Sequence, residues 1–243
     1  MDNSKFYGHW SDHNLMQVIA QDYLPVIKLE RQGAEFSSLT ELQKYFYEVG
    51  FRAGQALNQL ERIEQARILL RSYPYIKKWR EYFGQFEFFQ YNAEAYYLGV
   101  AGLIDRLLIL VNWVCELNIQ DKSAKMTPVI KALKKANYGE LAKLFEDTKV
   151  ATENVKTMRN EIAHAQRFHE RDLWYIAVLE FHVRQMTWEN NDEIKEDLSW
   201  YVRKYRQKIE KRLNEIDISL EPLIQSLFDT LEPIYTTAKE EKR

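Results

Sequence analysis

A chain of 243 residues, 46% of them hydrophobic, can bury a substantial core in one large domain or two small ones. Its 34 basic and 36 acidic residues give a formal charge of −2, which excludes a global electrostatic pull toward nucleic acid and leaves local basic patches for that role. With 8 glycines and 5 prolines against abundant Leu, Glu, Lys, Gln, Ala and Arg, the composition disfavours a strand-and-turn architecture and predicts an all-α fold.

The N-terminal stretch MDNSKFYGHWSDHN joins no basic segment to an apolar one and has no arginine-rich amphipathic pattern. No export or organelle signal is read there, and the expected location is cytoplasmic. His9 and His13 are four apart, a spacing that suits two metal ligands on a helix, but the stretch reads as an irregular terminus and offers no third ligand. Residues 1–38 are expected to form an N-terminal extension. Over residues 39–72, Leu42, Phe46, Val49, Ala53, Ala56, Leu57, Leu60, Ile63 and Ile68 recur at spacings near three and four and predict a long amphipathic helix. Pro74 ends it, because proline cannot continue the hydrogen-bond ladder. A shorter helix over residues 75–83 is punctuated by Gly84.

A second long helix is predicted over residues 87–117, apolar on nearly every face between Leu103 and Cys115 and therefore central. Its most apolar part, residues 96–119, has the length of a membrane span. Asp105 and Arg106 near the centre argue instead for a buried bundle helix, with no membrane partner. Cys115, the single cysteine, is expected to pack as a small hydrophobe. Pro128 opens a short helix through Lys135, ANYG breaks the chain, and Gly139 leads into one or two helices ending near Phe168. A further helix runs through ERDLWYIAVLEFHVRQM. From Asp192 onward an apolar stripe between Leu198 and Ile234 steps by about 3.6 residues, the period of a straight helix and not of a sustained coiled coil. Pro222, with Ser219 as a cap, is expected to break or bend that helix near residues 217–221. No repeat, low-complexity tract or long linker divides the chain. Residues 39–243 are therefore expected to be a single helical domain whose long C-terminal helices occupy 190–238.

Several constellations invite a chemical reading. EIAH, residues 161–164, has the Glu-x-x-His spacing of di-metal carboxylate bundles, which need two such elements and two more carboxylates; the chain holds no second one. No metal and no cofactor is expected. The row Lys204, Lys208, Lys211, with Arg203, Arg206 and Arg212 beside it, has the charge for phosphate contacts, but Glu210 and Glu215 interrupt it and it reads as a solvated helix face. Asp105 and Asn112 lie seven apart in an apolar segment, where polar groups need partners. Either Asp105 pairs with Arg159 or orients His164, or it pairs with Arg106 or lies at a dimer seam.

MRNEIAHAQRF, residues 158–168, holds Arg159, Asn160 and His164. An Arg-x4-His pair alone arises too readily by chance to be a motif, so context has to carry it. A long central helix bearing YYLGVAGLIDRLLILVN, followed by a later helix bearing MRNEIAHA, resembles the HEPN superfamily over about residues 83–186. The resemblance implies an up-and-down helical bundle, often homodimeric, to which this chain adds N- and C-terminal helices. The superfamily signature is an arginine, commonly followed by a polar residue, and a histidine four to six residues beyond it; Arg159, Asn160 and His164 match it. What the resemblance implies is metal-independent endoribonuclease activity, leaving a 2′,3′-cyclic phosphate, frequently in a toxin or defence effector, with RNA as substrate and an antitoxin protein among the expected partners. Some nuclease toxins of this kind carry a tyrosine two positions after the histidine, the target of a nucleotidyltransferase antitoxin. Gln166 stands there in this chain, a departure that puts that particular partnership in doubt.

The chemistry has its own logic. Cleaving RNA through its 2′-hydroxyl needs a group that moves protons near neutral pH, and an imidazole does so. It also needs fixed positive charge at the phosphorus, which a guanidinium supplies as a planar fork without losing its proton. His164 is thus the expected acid/base, Arg159 the phosphate stabiliser and Asn160 an auxiliary polar group. Five residues along a helix set Arg159 and His164 about 140° apart, whereas Asn160 and His164 share a face. A twofold dimer that brings two copies of the helix together resolves the conflict. The alternative is that Arg159 forms a surface ion pair with Glu153 or Glu161 and the bundle is a non-catalytic module binding nucleotide, RNA or a protein partner.

Overall fold

The computed structural model of the protein describes residues 10–71, 84–163, 170–185 and 191–243; the helix expected over residues 75–83 lies outside them. Among the described residues eight α-helices follow one another and no strand occurs: α1 (Asn14–Arg31), α2 (Glu41–Arg71), α3 (Gln85–Val114), α4 (Met126–Lys135), α5 (Gly139–Ala151), α6 (Glu153–Ala163), α7 (Arg171–Gln185) and α8 (Asn191–Glu241). The all-α expectation holds.

Helix ends follow local chemistry. At the start of α1 the His13 ring accepts the Leu15 amide at 3.2 Å through Nδ1, and its Nε2 lies 3.1 Å from Asp229 on α8. His13 is therefore a helix cap tied to the far end of the chain, which corrects the reading of its surroundings as an irregular terminus; His9 lies outside the described residues. Thr40 and Gln43 exchange a reciprocal pair of bonds at the start of α2, Gln43 N–H to Thr40 Oγ1 and Thr40 N–H to Gln43 Oε1. These satisfy two amides that the first turn leaves open. At α3 the cap comes from another helix: the Glu180 carboxylate of α7 accepts the amides of Gln85 at 2.6 Å and Phe86 at 3.0 Å. Burial raises the Glu180 pKa, while the two amides pull it down less strongly.

The core is laid down by α2 against α3, the most extensive helix pair. Their close approach depends on Gly99, whose carbonyl accepts from the buried Gln59 side chain at 3.1 Å. A Cβ at position 99 would come within 2.9 Å of Ile63 Cγ1, and a branched side chain so near its own backbone has little room to yield. Gly99→Ala is expected to cost about 1–3 kcal/mol by overpacking, read as a lowered urea midpoint at unchanged slope; an unchanged midpoint would show that the crossing is slack.

Around α3 pack α4, α6, α7 and α8 as well. It is the one helix, among the described residues, long and apolar enough by composition to cross a membrane, and more than half of its most apolar window is buried within the protein. Its place at the centre of the bundle accounts for its apolarity. Burial also pushes the Cys115 thiol up to about 12, as befits a residue that packs and does not react.

α8 runs unbroken through Pro222 and Pro233, so of the break or bend expected near residues 217–221 the break does not form. Both prolines lie on the exposed side of the helix, where water can serve the carbonyls they leave open. The opposite side buries Leu220, Ile224, Leu227, Phe228, Leu231 and Tyr235, enough apolar surface to outweigh the roughly 3 kcal/mol that an interior proline costs. Within the supposed break, Asp217 is 1% exposed. Its carboxylate accepts the Tyr96 hydroxyl of α3 at 2.6 Å and pairs with Arg67 of α2 at 2.9 Å. Arg67 also donates to Asn214 at 3.1 Å.

Candidate active site

α5 and α6 are nearly continuous in sequence, and two threonines mark the break. Thr148 and Thr152 each turn a hydroxyl back to the carbonyl four residues earlier, both at 2.7 Å, a pattern that bends helices. α6 then starts afresh at Glu153, whose charge suits a helix N-terminus. Val155 is buried, with Met158 and Ile162 packed against the core. That stripe fixes the phase of the helix: Asn160 falls about 165° away from it and Arg159 about 65° away. Both are exposed. His164 lies outside the described residues, immediately after Ala163.

The ion pair expected as the bland explanation of Arg159 is not formed. Glu153 faces Lys156 instead, at 3.8 Å, and among the described residues Arg159 makes no ion pair or hydrogen bond. Its guanidinium is presented to solvent from a basic part of the chain: residues 122–163 hold nine basic and five acidic side chains, against the negative balance of the whole. Between α4, α5 and the start of α6, an open cleft of about 670 Å³ is lined by the apolar Ile130 and Val150 with Lys131 and Lys149, and by Lys134 paired with Glu146 at 2.7 Å.

Other expected contributors are spent elsewhere. Asp105 meets Lys125 at 4.0 Å and, among the described residues, forms no ion pair with Arg159 or Arg106; its expected contact with His164 lies outside the described residues. Asn112 clamps the exit of α3: its side chain donates to the Ile119 carbonyl at 2.8 Å and accepts the Ile119 amide at 3.1 Å. The bends at Glu116 and Asn118, both with positive φ, are held by this clamp. The Lys204 row does not wait for phosphates either. Lys204 and Lys208 bind Asp172 at 3.2 and 3.1 Å, and Lys208 and Arg212 bind Glu170, so these cations lock the start of α7 onto α8. Burial would raise the Asp172 carboxyl, but the bonds from Lys208 and Lys204 hold it below its ordinary range. No group of three or more His, Cys, Asp or Glu side chains able to hold a metal is assembled among the described residues.

Over residues 36–237 the sequence matches the Cthe2314-like HEPN family. The chain belongs to the HEPN superfamily. In this HEPN protein the match takes in α2 through most of α8, well beyond the 83–186 stretch that carries the resemblance in the sequence, and it includes Arg159, Asn160 and His164. No curated protein and no solved structure matches the chain.

Two features escaped the sequence. The buried Arg67, Tyr96 and Asp217 group joins positions far apart in the chain and left no local signal. The exposed Trp174 and Phe181 of α7 did leave one, since seven residues place them on one face, out of phase with the buried Leu173 and Ile176.

Proposed function

We propose that this HEPN protein is a metal-independent endoribonuclease that cuts single-stranded or looped RNA as a cytoplasmic homodimer, in the manner of a toxin or defence effector restrained by a protein partner. The observation that carries the reading is the exposed Arg159 guanidinium, without a partner among the described residues and next to Asn160, on a helix described as far as Ala163, the residue before His164 in the sequence. Arg159 would hold the non-bridging oxygens of the scissile phosphate, where negative charge grows as the 2′-oxygen attacks. His164 would take the 2′-hydroxyl proton or deliver one to the departing 5′-oxygen. Asn160, one helical turn before His164 in sequence, would orient the imidazole or the phosphate. The products would be a 2′,3′-cyclic phosphate and a free 5′-hydroxyl.

The test is purified protein incubated with total RNA in EDTA. The expected result is fragments whose mass shows a cyclic phosphate end. RNA left intact, or cutting that EDTA abolishes and a divalent cation restores, would sink the proposal.

A further inference from the structure

The chemistry assigned to α6 leaves the outer face of α7 and α8 without a task. Leu173 and Ile176 are wholly buried, yet Trp174 is 59% and Trp200 50% exposed, a large apolar surface left open among the described residues. Tyr175, next to Trp174 in α7, packs against Tyr201 of α8 with ring centroids 5.0 Å apart, and Trp200 meets Tyr201 edge-on at 4.8 Å. Cations edge this surface. The Arg171 guanidinium lies 5.6 Å from the Tyr175 ring centre, and the Lys204 ammonium lies 5.1 Å from that of Trp200 and 5.7 Å from that of Tyr201. From residue 200 to 212, α8 carries six basic residues and one acidic one, whereas residues 191–199 carry four acidic and one basic. Lys204, Lys208 and Arg212 of this stretch pair with Asp172 and Glu170, and Arg203 and Lys211 remain exposed.

We propose that Trp174, Tyr175, Trp200 and Tyr201, edged by the Arg171 guanidinium, form a stacking platform for the unpaired bases of single-stranded RNA. The choice of RNA as the polymer rests on the ribonuclease reading. Aromatic faces set among cations recognise what a single strand offers and a duplex hides, the flat faces of its bases beside a phosphate chain. A second copy of this chain, which would cover the patch in a twofold contact, is the other occupant, and the test separates the two. The platform also lies close to the cleavage residues along the chain: Glu170 is seven residues past Ala163, hence no more than about 25 Å from it. A strand held on these rings would enter the Arg159 site already unpaired.

The test uses the full chain and a 2′-O-methyl oligoribonucleotide, which has no free 2′-hydroxyl and so is bound without being cut. The single strand is expected to quench tryptophan fluorescence and to bind more tightly than its duplex. Trp174→Ala and Trp200→Ala are each expected to weaken it at least about fivefold, while Trp200→Phe, which keeps a ring, loses less. Alanine variants that bind as well as the unchanged protein overturn the platform, as does a wild type that fails to bind the strand. So does a fall from dimer to monomer by sedimentation with affinity for the strand unchanged, which would assign the patch to contact between copies. Because the probe cannot be cleaved, the two proposals fail separately: strand binding lost in the tryptophan variants, with total RNA never cut by wild type, keeps the platform and removes the nuclease.

Discussion

Asp217→Ala is expected to lower the free energy of unfolding by about 3–5 kcal/mol, the largest stability loss of any single substitution considered. The carboxylate is 1% and Arg67 3% exposed, and their 2.9 Å contact is met from the other side by the Tyr96 hydroxyl at 2.6 Å. Removing the carboxylate leaves a guanidinium deep among α2, α3 and α8 that has lost its 2.9 Å carboxylate partner, with Glu64 at 3.9 Å and the Asn214 amide oxygen among the groups still beside it. Asp217→Asn keeps the shape and an acceptor for Tyr96 but not the charge, so it should recover only part of the loss. The double variant Arg67→Met with Asp217→Leu separates mechanism from mere sensitivity. Replacing a buried pair by apolar groups of similar volume is often close to neutral, so the double variant is expected to be more stable than Asp217→Ala alone. Urea unfolding at neutral pH reads all three. A cost under about 1 kcal/mol for Asp217→Ala would mean that water reaches the pair.

The same residues show where reading a sequence stops. α2 and α3 were legible because their apolar positions repeat at the helical period without interruption, and the burial of Val49, Leu60, Ile63, Leu103 and Leu107 follows from that repeat. Asp217 was not: proline at 222 is a strong local signal for a helix end, and only the packed side of α8 outweighs it. Helix caps were half legible. Thr40 and Gln43 carry a familiar pattern, but the cap of α3 arrives from Glu180, 95 residues away, and no local rule reaches so far. At the candidate site, the outward placement of Arg159 and Asn160 follows from Val155, Met158 and Ile162 by counting turns. The fate of Lys204, Lys208 and Arg212 does not, since their partners Glu170 and Asp172 lie on another helix whose approach the sequence leaves open. Charge runs name what a helix can bind, and tertiary packing decides what it does bind.

Mixed in equal amounts, Arg159→Ala and His164→Ala proteins are expected to recover about a quarter of wild-type RNA cleavage, although each alone falls by roughly 10²–10⁴-fold. On a continuous helix five residues would set the two positions about 140° apart, and the phase of α6, fixed by its buried stripe, leaves Arg159 beside the core-facing side and Asn160 opposite it. In the proposed twofold dimer the guanidinium of one protomer would serve the imidazole of its partner. Random re-association makes half of the dimers mixed, and each mixed dimer holds one site with both groups intact and one with neither, which gives about one quarter. If a single protomer supplies both groups, no mixed dimer has a complete site and the mixture stays as inactive as its components. Arg159→Lys refines the outcome. A lysine keeps the charge but presents no planar fork, so it should restore less activity than charge alone would grant; full activity in Arg159→Lys would reduce the role of the arginine to electrostatic attraction.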